Sequence, residues 1–162
     1  MRFLICCLLA SLITGCASTR PPAVDSVEIK EIKPRYIEEA AFKRIGEYLT
    51  GKENTGNRVI LRSVEEARTG YYFTLVLDEN VRRLPRGTVV VGEFHTPKSL
   101  DVQEHRFEIP SGKLPKTKEI FVGLTGEDWT FGPDAVPAAW RFTIEDANGE
   151  ALATEKSYLW TL

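Results

Sequence analysis

Cysteine, histidine and methionine are scarce in this chain: three, two and one, respectively. All three cysteines lie within the first sixteen residues, at positions 6, 7 and 16. From residue 17 onward no disulfide can form, and no thiolate is offered as nucleophile or metal ligand. Two histidines without a cysteine beside them are thin material for a metal centre. Charge of one sign is lacking too. The 21 Lys and Arg stand against 23 Asp and Glu, a net charge of -2, which argues against wholesale electrostatic binding of nucleic acid. No apolar run reaches the roughly 18 residues that a spanning helix needs. What is present is globular composition. With 43% hydrophobic and 27% charged residues the chain is too apolar for disorder, and its 162 residues fit one folded domain.

The most specific signal is N-terminal. Arg2 precedes an apolar stretch, residues 3–13, of the length of a secretory h-region. It ends in Ile13-Thr14-Gly15-Cys16. An aliphatic residue, two small residues and a cysteine resemble the lipobox of bacterial lipoproteins. The resemblance implies that the Cys16 thiol receives a diacylglycerol, that cleavage follows Gly15, and that the new amine is acylated. Small side chains at Thr14 and Gly15 let an extended backbone fit the peptidase. Residues 1–15 would then leave as a signal peptide with Cys6 and Cys7. Because Arg2 is their only charge, the net charge would move from -2 to -3. Two or three acyl chains hold firmly, since each buried methylene contributes about 0.8 kcal/mol and one chain is only marginal. The residue after Cys16 is Ala17 rather than aspartate. In lipoproteins of two-membrane bacteria this implies the outer membrane, with the domain facing the periplasm.

Residues 16–33 read as a lipid-anchored tether. Ser18, Thr19, Pro21 and Pro22 disfavour helix, although Val24, Val27, Ile29 and Ile32 allow part of the segment to add as an edge strand. Fully extended, it would reach about 50 Å. Residues 34–51 read as a helix, or else as an extra strand from 42 to 49. Pro34 suits a first helical turn, Ile37, Ala41, Ile45 and Tyr48 recur at helical steps with Leu49 beside them, and Gly51 supplies a stop.

From residue 57 to 162 the period becomes two. Strands are expected at 58–63, 71–77, 88–95, 102–109, 119–125, 140–145 and 151–161. Both faces of 71–77 are apolar, which makes it central. Asn148-Gly149 marks a hairpin turn in which both residues tolerate positive φ. The fold expected is mainly β, an antiparallel two-sheet β-sandwich with a short N-terminal helix. Its layout looks like immunoglobulin-like or fibronectin-type domains, and a small barrel is the alternative.

Candidates for chemistry are few. His95 and His105, with Glu93, Asp101 or Glu104, would meet only if 88–95 pairs with 102–109. No compact ligand spacing supports a metal there, so no metal or cofactor is expected. The serines lack a nucleophile-elbow context. Glu127 and Asp128 are adjacent loop carboxylates. The segment 126–133 is unusual because Trp129 and Phe131 stand between glycines and a proline. They either fold back to cap the sandwich or form, with Glu127 and Asp128, a surface for a protein or glycan. Arg82, Arg83 and Arg86 form a basic cluster around Pro85, either a solvated turn or a contact for lipid phosphates or an anionic polymer. The function expected is that of a non-enzymatic interaction or accessory module of the cell envelope, with a protein partner in the envelope. A carbohydrate-binding module using loop aromatics is the alternative.

Overall fold

The computed structural model describes residues 20–161, so Cys16 and the signal segment lie outside the described residues. Two four-stranded sheets pack face to face. The first has the order β1-β3-β6-β2, built from β1 (Ile29–Ile37), β2 (Val59–Arg62), β3 (Gly70–Leu77) and β6 (Glu119–Thr125). The second has the order β5-β4-β7-β8, built from β4 (Val89–Thr96), β5 (Ser99–Glu108), β7 (Ala139–Glu145) and β8 (Ala151–Lys156). All pairs are antiparallel except β2 and β6, which run parallel with Val59 opposite Ile120. The sheets are open, so the barrel alternative is not the one formed.

Strand alternation accounts for the core. On β3, Tyr71, Phe73, Leu75 and Leu77 face inward and meet Val90, Phe94, Phe142 and Ile144 of the other sheet. Phe73 lies 5.4 Å from Phe94 and 5.1 Å from Phe142, ring to ring. Tyr72 points the opposite way, into a small second cluster with Ile37, Phe42 and Phe121 on the outer face. It lies flat because its cross-strand neighbour is Gly123, where any Cβ would come within 2.4 Å of the tyrosine ring.

Residues 34–51 do not form one helix. Residues 34–37 complete β1, an edge strand, where a proline costs no ladder hydrogen bond. Two short helices follow, α1 (Glu39–Phe42) and α2 (Ile45–Thr50). Between them Lys43 and Arg44 are extended, with ψ of 130° and 155°. That break resets the helical phase. Phe42 turns into the outer-face cluster, while the face formed by Ile45, Tyr48 and Leu49 points to solvent.

The segment 16–33 is likewise not a free tether throughout. The Arg20 guanidinium donates to the carbonyls of Arg82 and Leu84, Val24 N–H donates to Arg83 O, and Val27 N–H donates to Leu152 O. Val27 and Ile29 are buried, so the apolar residues within the segment close one corner of the core. The sandwich therefore begins well before residue 57.

Candidate functional site

The loop of 126–133 is the first candidate. Gly126 turns at φ 57° and opens a 3₁₀ turn, Gly126–Asp128, whose carbonyl accepts the Trp129 N–H. This folds Trp129 back under the sandwich. Its ring lies 4.9 Å from Tyr71 and 5.3 Å from Phe131, and only 4% of the residue is exposed. The contact surface expected at Trp129, Phe131, Glu127 and Asp128 is therefore not assembled. Trp129 is core, Phe131 is half-buried against it, and Glu127 points to solvent. Asp128 faces Lys98 and His105, each 3.9 Å away. No indole face is free there for a sugar ring to stack on, which withdraws the carbohydrate platform at Trp129.

The histidine pair is the second candidate. β4 and β5 do pair, with Gly92 opposite His105 and Glu93 opposite Glu104. Successive side chains on a strand point to opposite faces. His105 follows Gly92 and Phe107 to the inner face, stacking near Phe94 and Phe107. His95 shares the outer face with Glu93, and its ring lies 5.3 Å from Trp160. The sheet itself separates the two imidazoles, and the outer carboxylate of Glu93 is held bidentately by Arg141. Among the described residues no group of three or more His, Cys, Asp or Glu is gathered.

The basic turn is the third. Val81 of the 3₁₀ turn Val81–Arg83 and Leu84, which caps it, plug the core below β3, and this turns Arg82 and Arg86 away from it. Arg83 pairs with Glu79 at 2.9 Å and is spent locally. Arg82 Nε donates to Leu114 O at 2.8 Å, tying the turn to the loop that follows β5. Arg20 and Lys113 join from two other parts of the chain. Together they line a cleft of about 570 Å³ whose wall also carries Ser111 and Gly112. Among the described residues, none of Arg20, Arg82, Arg86 and Lys113 has a carboxylate partner. Arg82 and Arg86 were visible in the sequence as a cluster. Arg20 and Lys113 were not, because only the tertiary fold brings residues so far apart to one wall.

The fourth site is the exposed face of α2. Ile45, Tyr48 and Leu49 are 83%, 77% and 83% exposed. At positions i, i+3 and i+4 they form one apolar face. The helix is held from behind. Glu47 pairs with Arg68 at 2.7 Å and accepts the Asn54 N–H, and Gly51 caps it at φ 65°. Next to it Arg62 bridges Glu53 and the Tyr72 hydroxyl, with its guanidinium over the Phe42 ring. These bonds hold the Glu47 and Glu53 carboxyls below the ordinary glutamate range, chiefly through Arg68 and Arg62.

No family model, no curated protein and no solved structure matches this chain.

Proposed function

We propose that this chain is a lipoprotein of the outer membrane that faces the periplasm and acts as a non-enzymatic interaction module, its immunoglobulin-like sandwich docking an envelope protein. The Ile13-Thr14-Gly15-Cys16 motif supports the anchor. The observation that carries the interaction role is the apolar face of α2. A contiguous exposed apolar patch on a small domain marks a docking surface. This one is braced by ion pairs rather than left to fray. It also lies at the pole away from Arg20, where the described chain begins. β1 ends at Ile37 opposite Gly70, so α1 and α2 lie at the start of β3. Arg20 is bound at the other end of β3, beside the turn of residues 81–84. Eight residues of β3 separate the poles by about 25 Å.

The test has two readings. Mass spectrometry of the N-terminus should show an acylated Cys16, and an unmodified Cys16 would refute the anchor. A photocrosslinking residue placed at Ile45, Tyr48 or Leu49 in living cells should give one common adduct. The same residue at Val136, also exposed but on another loop, should not give it. The change Leu49→Asp should abolish the adduct formed from position 45. Adducts equal at all four positions would refute the docking face.

A further inference from the structure

We propose that the cleft between Arg20, Arg82, Arg86 and Lys113 binds the phosphate of an anionic lipid headgroup. The inference deepens the lipoprotein reading above and rests on it for the source of the phosphate. It rests on the structure alone for the chemistry.

Four cations face one cleft in a chain whose net charge is -2. They come to this wall from three parts of the chain, and among the described residues no carboxylate pairs with any of them. Arginine surplus at one wall suits phosphate, since the planar guanidinium offers paired donors to its oxygens. Two of the cations are set by the backbone. Arg20 reaches the carbonyls of Arg82 and Leu84 through Nε and Nη2, and Arg82 reaches Leu114 O through Nε. Each keeps further N–H donors for a ligand. Arg86 and Lys113 make no hydrogen bond or ion pair among the described residues, and both are exposed. Ser111 adds a hydroxyl, and at Gly112 the space where a side chain would stand is open, so an anion can approach the backbone. The nearby carboxylate of Glu108 lines the adjoining depression at Gly87–Val89 rather than this cleft.

Position selects the lipid. Four residue steps separate Cys16 from Arg20, and an extended chain covers at most about 14 Å in four steps. An acylated Cys16 therefore keeps the cleft within reach of the headgroup layer. An anionic headgroup next to the anchor would occupy the site as a second, ionic attachment beside the acyl chains.

Native mass spectrometry of the full chain, released from membranes in a non-ionic detergent, tests this with two short-chain probes. The mass of the chain itself reports acylation at Cys16, so failure of the anchor and failure of the cleft are read separately. Dihexanoyl phosphatidylglycerol should be retained as an adduct at least tenfold more than dihexanoyl phosphatidylcholine. The double change Arg86→Glu with Lys113→Glu should bring the two lipids to parity, while Lys52→Glu at the opposite pole should leave the preference intact. Neither Arg86 nor Lys113 bonds to the fold, and Arg86→Gln with Lys113→Gln gives a milder pair if the reversal unfolds the chain. Equal retention of the two lipids by the native chain would overturn the proposal, as would an unchanged preference in a folded double variant. Displacement of the phosphatidylglycerol by an equal concentration of inorganic phosphate would overturn the lipid as the source.

Discussion

An indole N–H is expensive to bury without a partner, because it gives up water and gains nothing in return. Trp129 does this: Nε1 is buried with no hydrogen-bond partner among the described residues. The ring is kept because its area packs on Tyr71 and Phe131. Two variants separate the terms. Trp129→Ala should cost about 3–5 kcal/mol through the cavity it leaves. Trp129→Phe loses part of the ring but removes an unpaired donor worth about 1–3 kcal/mol, so it should fall within about 1 kcal/mol of the native chain. Urea denaturation measures both. A phenylalanine variant as unstable as the alanine variant would mean that the N–H is satisfied. The sequence exposed the oddity of Trp129 and Phe131 between glycines but not its direction. A tryptophan that caps a sandwich and one that offers its face to a ligand have the same neighbours in sequence, and the difference lies in whether Gly126 turns the loop inward at φ 57°. The inward residues of β7 were legible, because Phe142 and Ile144 alternate with polar residues, whereas on β3, apolar on both faces, alternation showed which residues share a face but not which face is inward.

At the scale of elements, periodicity worked where one element persisted and failed where the chain changed conformation. Pro34 reads equally as a helix start and as an edge-strand residue. The apparent stripe from Ile37 to Leu49 spans a strand end, an extended break and two helices, so its members have no common phase. The C-terminal hairpin shows the same limit in small. Only Gly149 takes positive φ, at 83°, and Asn148 does not. The turn is secured instead by the Asp146 carboxylate, which accepts the N–H groups of Glu150 and Asn148 and is lowered in pKa by them. Beyond it β8 ends at Lys156 rather than continuing to residue 161. Trp160 lies in a 3₁₀ turn on the outer face, half-buried, with Arg141 5.0 Å from its ring, and is not part of the core. Deleting residues 158–162 should therefore cost about 1–2 kcal/mol, a cation–π contact and some partial burial. The cooperative melt should survive, and its loss would place Trp160 in the core after all. A second expectation concerns the brace behind α2. Glu47 and Glu53 are both held below their ordinary value of 4.5. Folding with a lowered carboxyl pKa adds stability above the unfolded value, and that stability is lost as pH falls through the folded one. The difference in melting temperature between the native chain and Glu47→Gln/Glu53→Gln should be full at pH 7 and should close as pH falls below about 4.5. Amide exchange at residues 44–56 should accelerate first. A difference independent of pH would show that packing rather than charge holds the helix.

At the scale of the whole molecule, what the sequence hides is placement. Composition reports a charge near balance, and it is the fold that gathers Arg20, Arg82, Arg86 and Lys113 at one pole and Ile45, Tyr48 and Leu49 at the other. No window of sequence gathers the four cations, and although Ile45, Tyr48 and Leu49 stand within five residues, their exposure is not written there. If Cys16 carries the proposed lipid, the same placement sets an orientation on a bilayer. A tether free through residue 33 would let the domain rise about 50 Å and tumble. With Arg20, Val24 and Val27 bound to the domain, only residues 17–19 stand between an acylated Cys16 and the fold. In the proposed anchored state the cleft pole would rest near the headgroups, with α2 about 25 Å away from it along β3. Spin labels read this directly, since no cysteine follows Cys16, and in a chain processed and acylated there a new cysteine is the one free thiol. One label goes at Lys113→Cys, in the cleft wall, and one at Lys52→Cys, just past α2. In vesicles doped with a lipid whose headgroup chelates nickel, relaxation falls steeply with distance from the surface. The label at 113 should relax strongly and the label at 52 weakly. High salt should loosen the contrast only so far as headgroup binding maintains it, because the short linker persists when the ionic contacts are screened. Equal relaxation at the two sites in low salt would mean that the bonds of Arg20 and Val24 open at the membrane, returning the segment to a flexible tether.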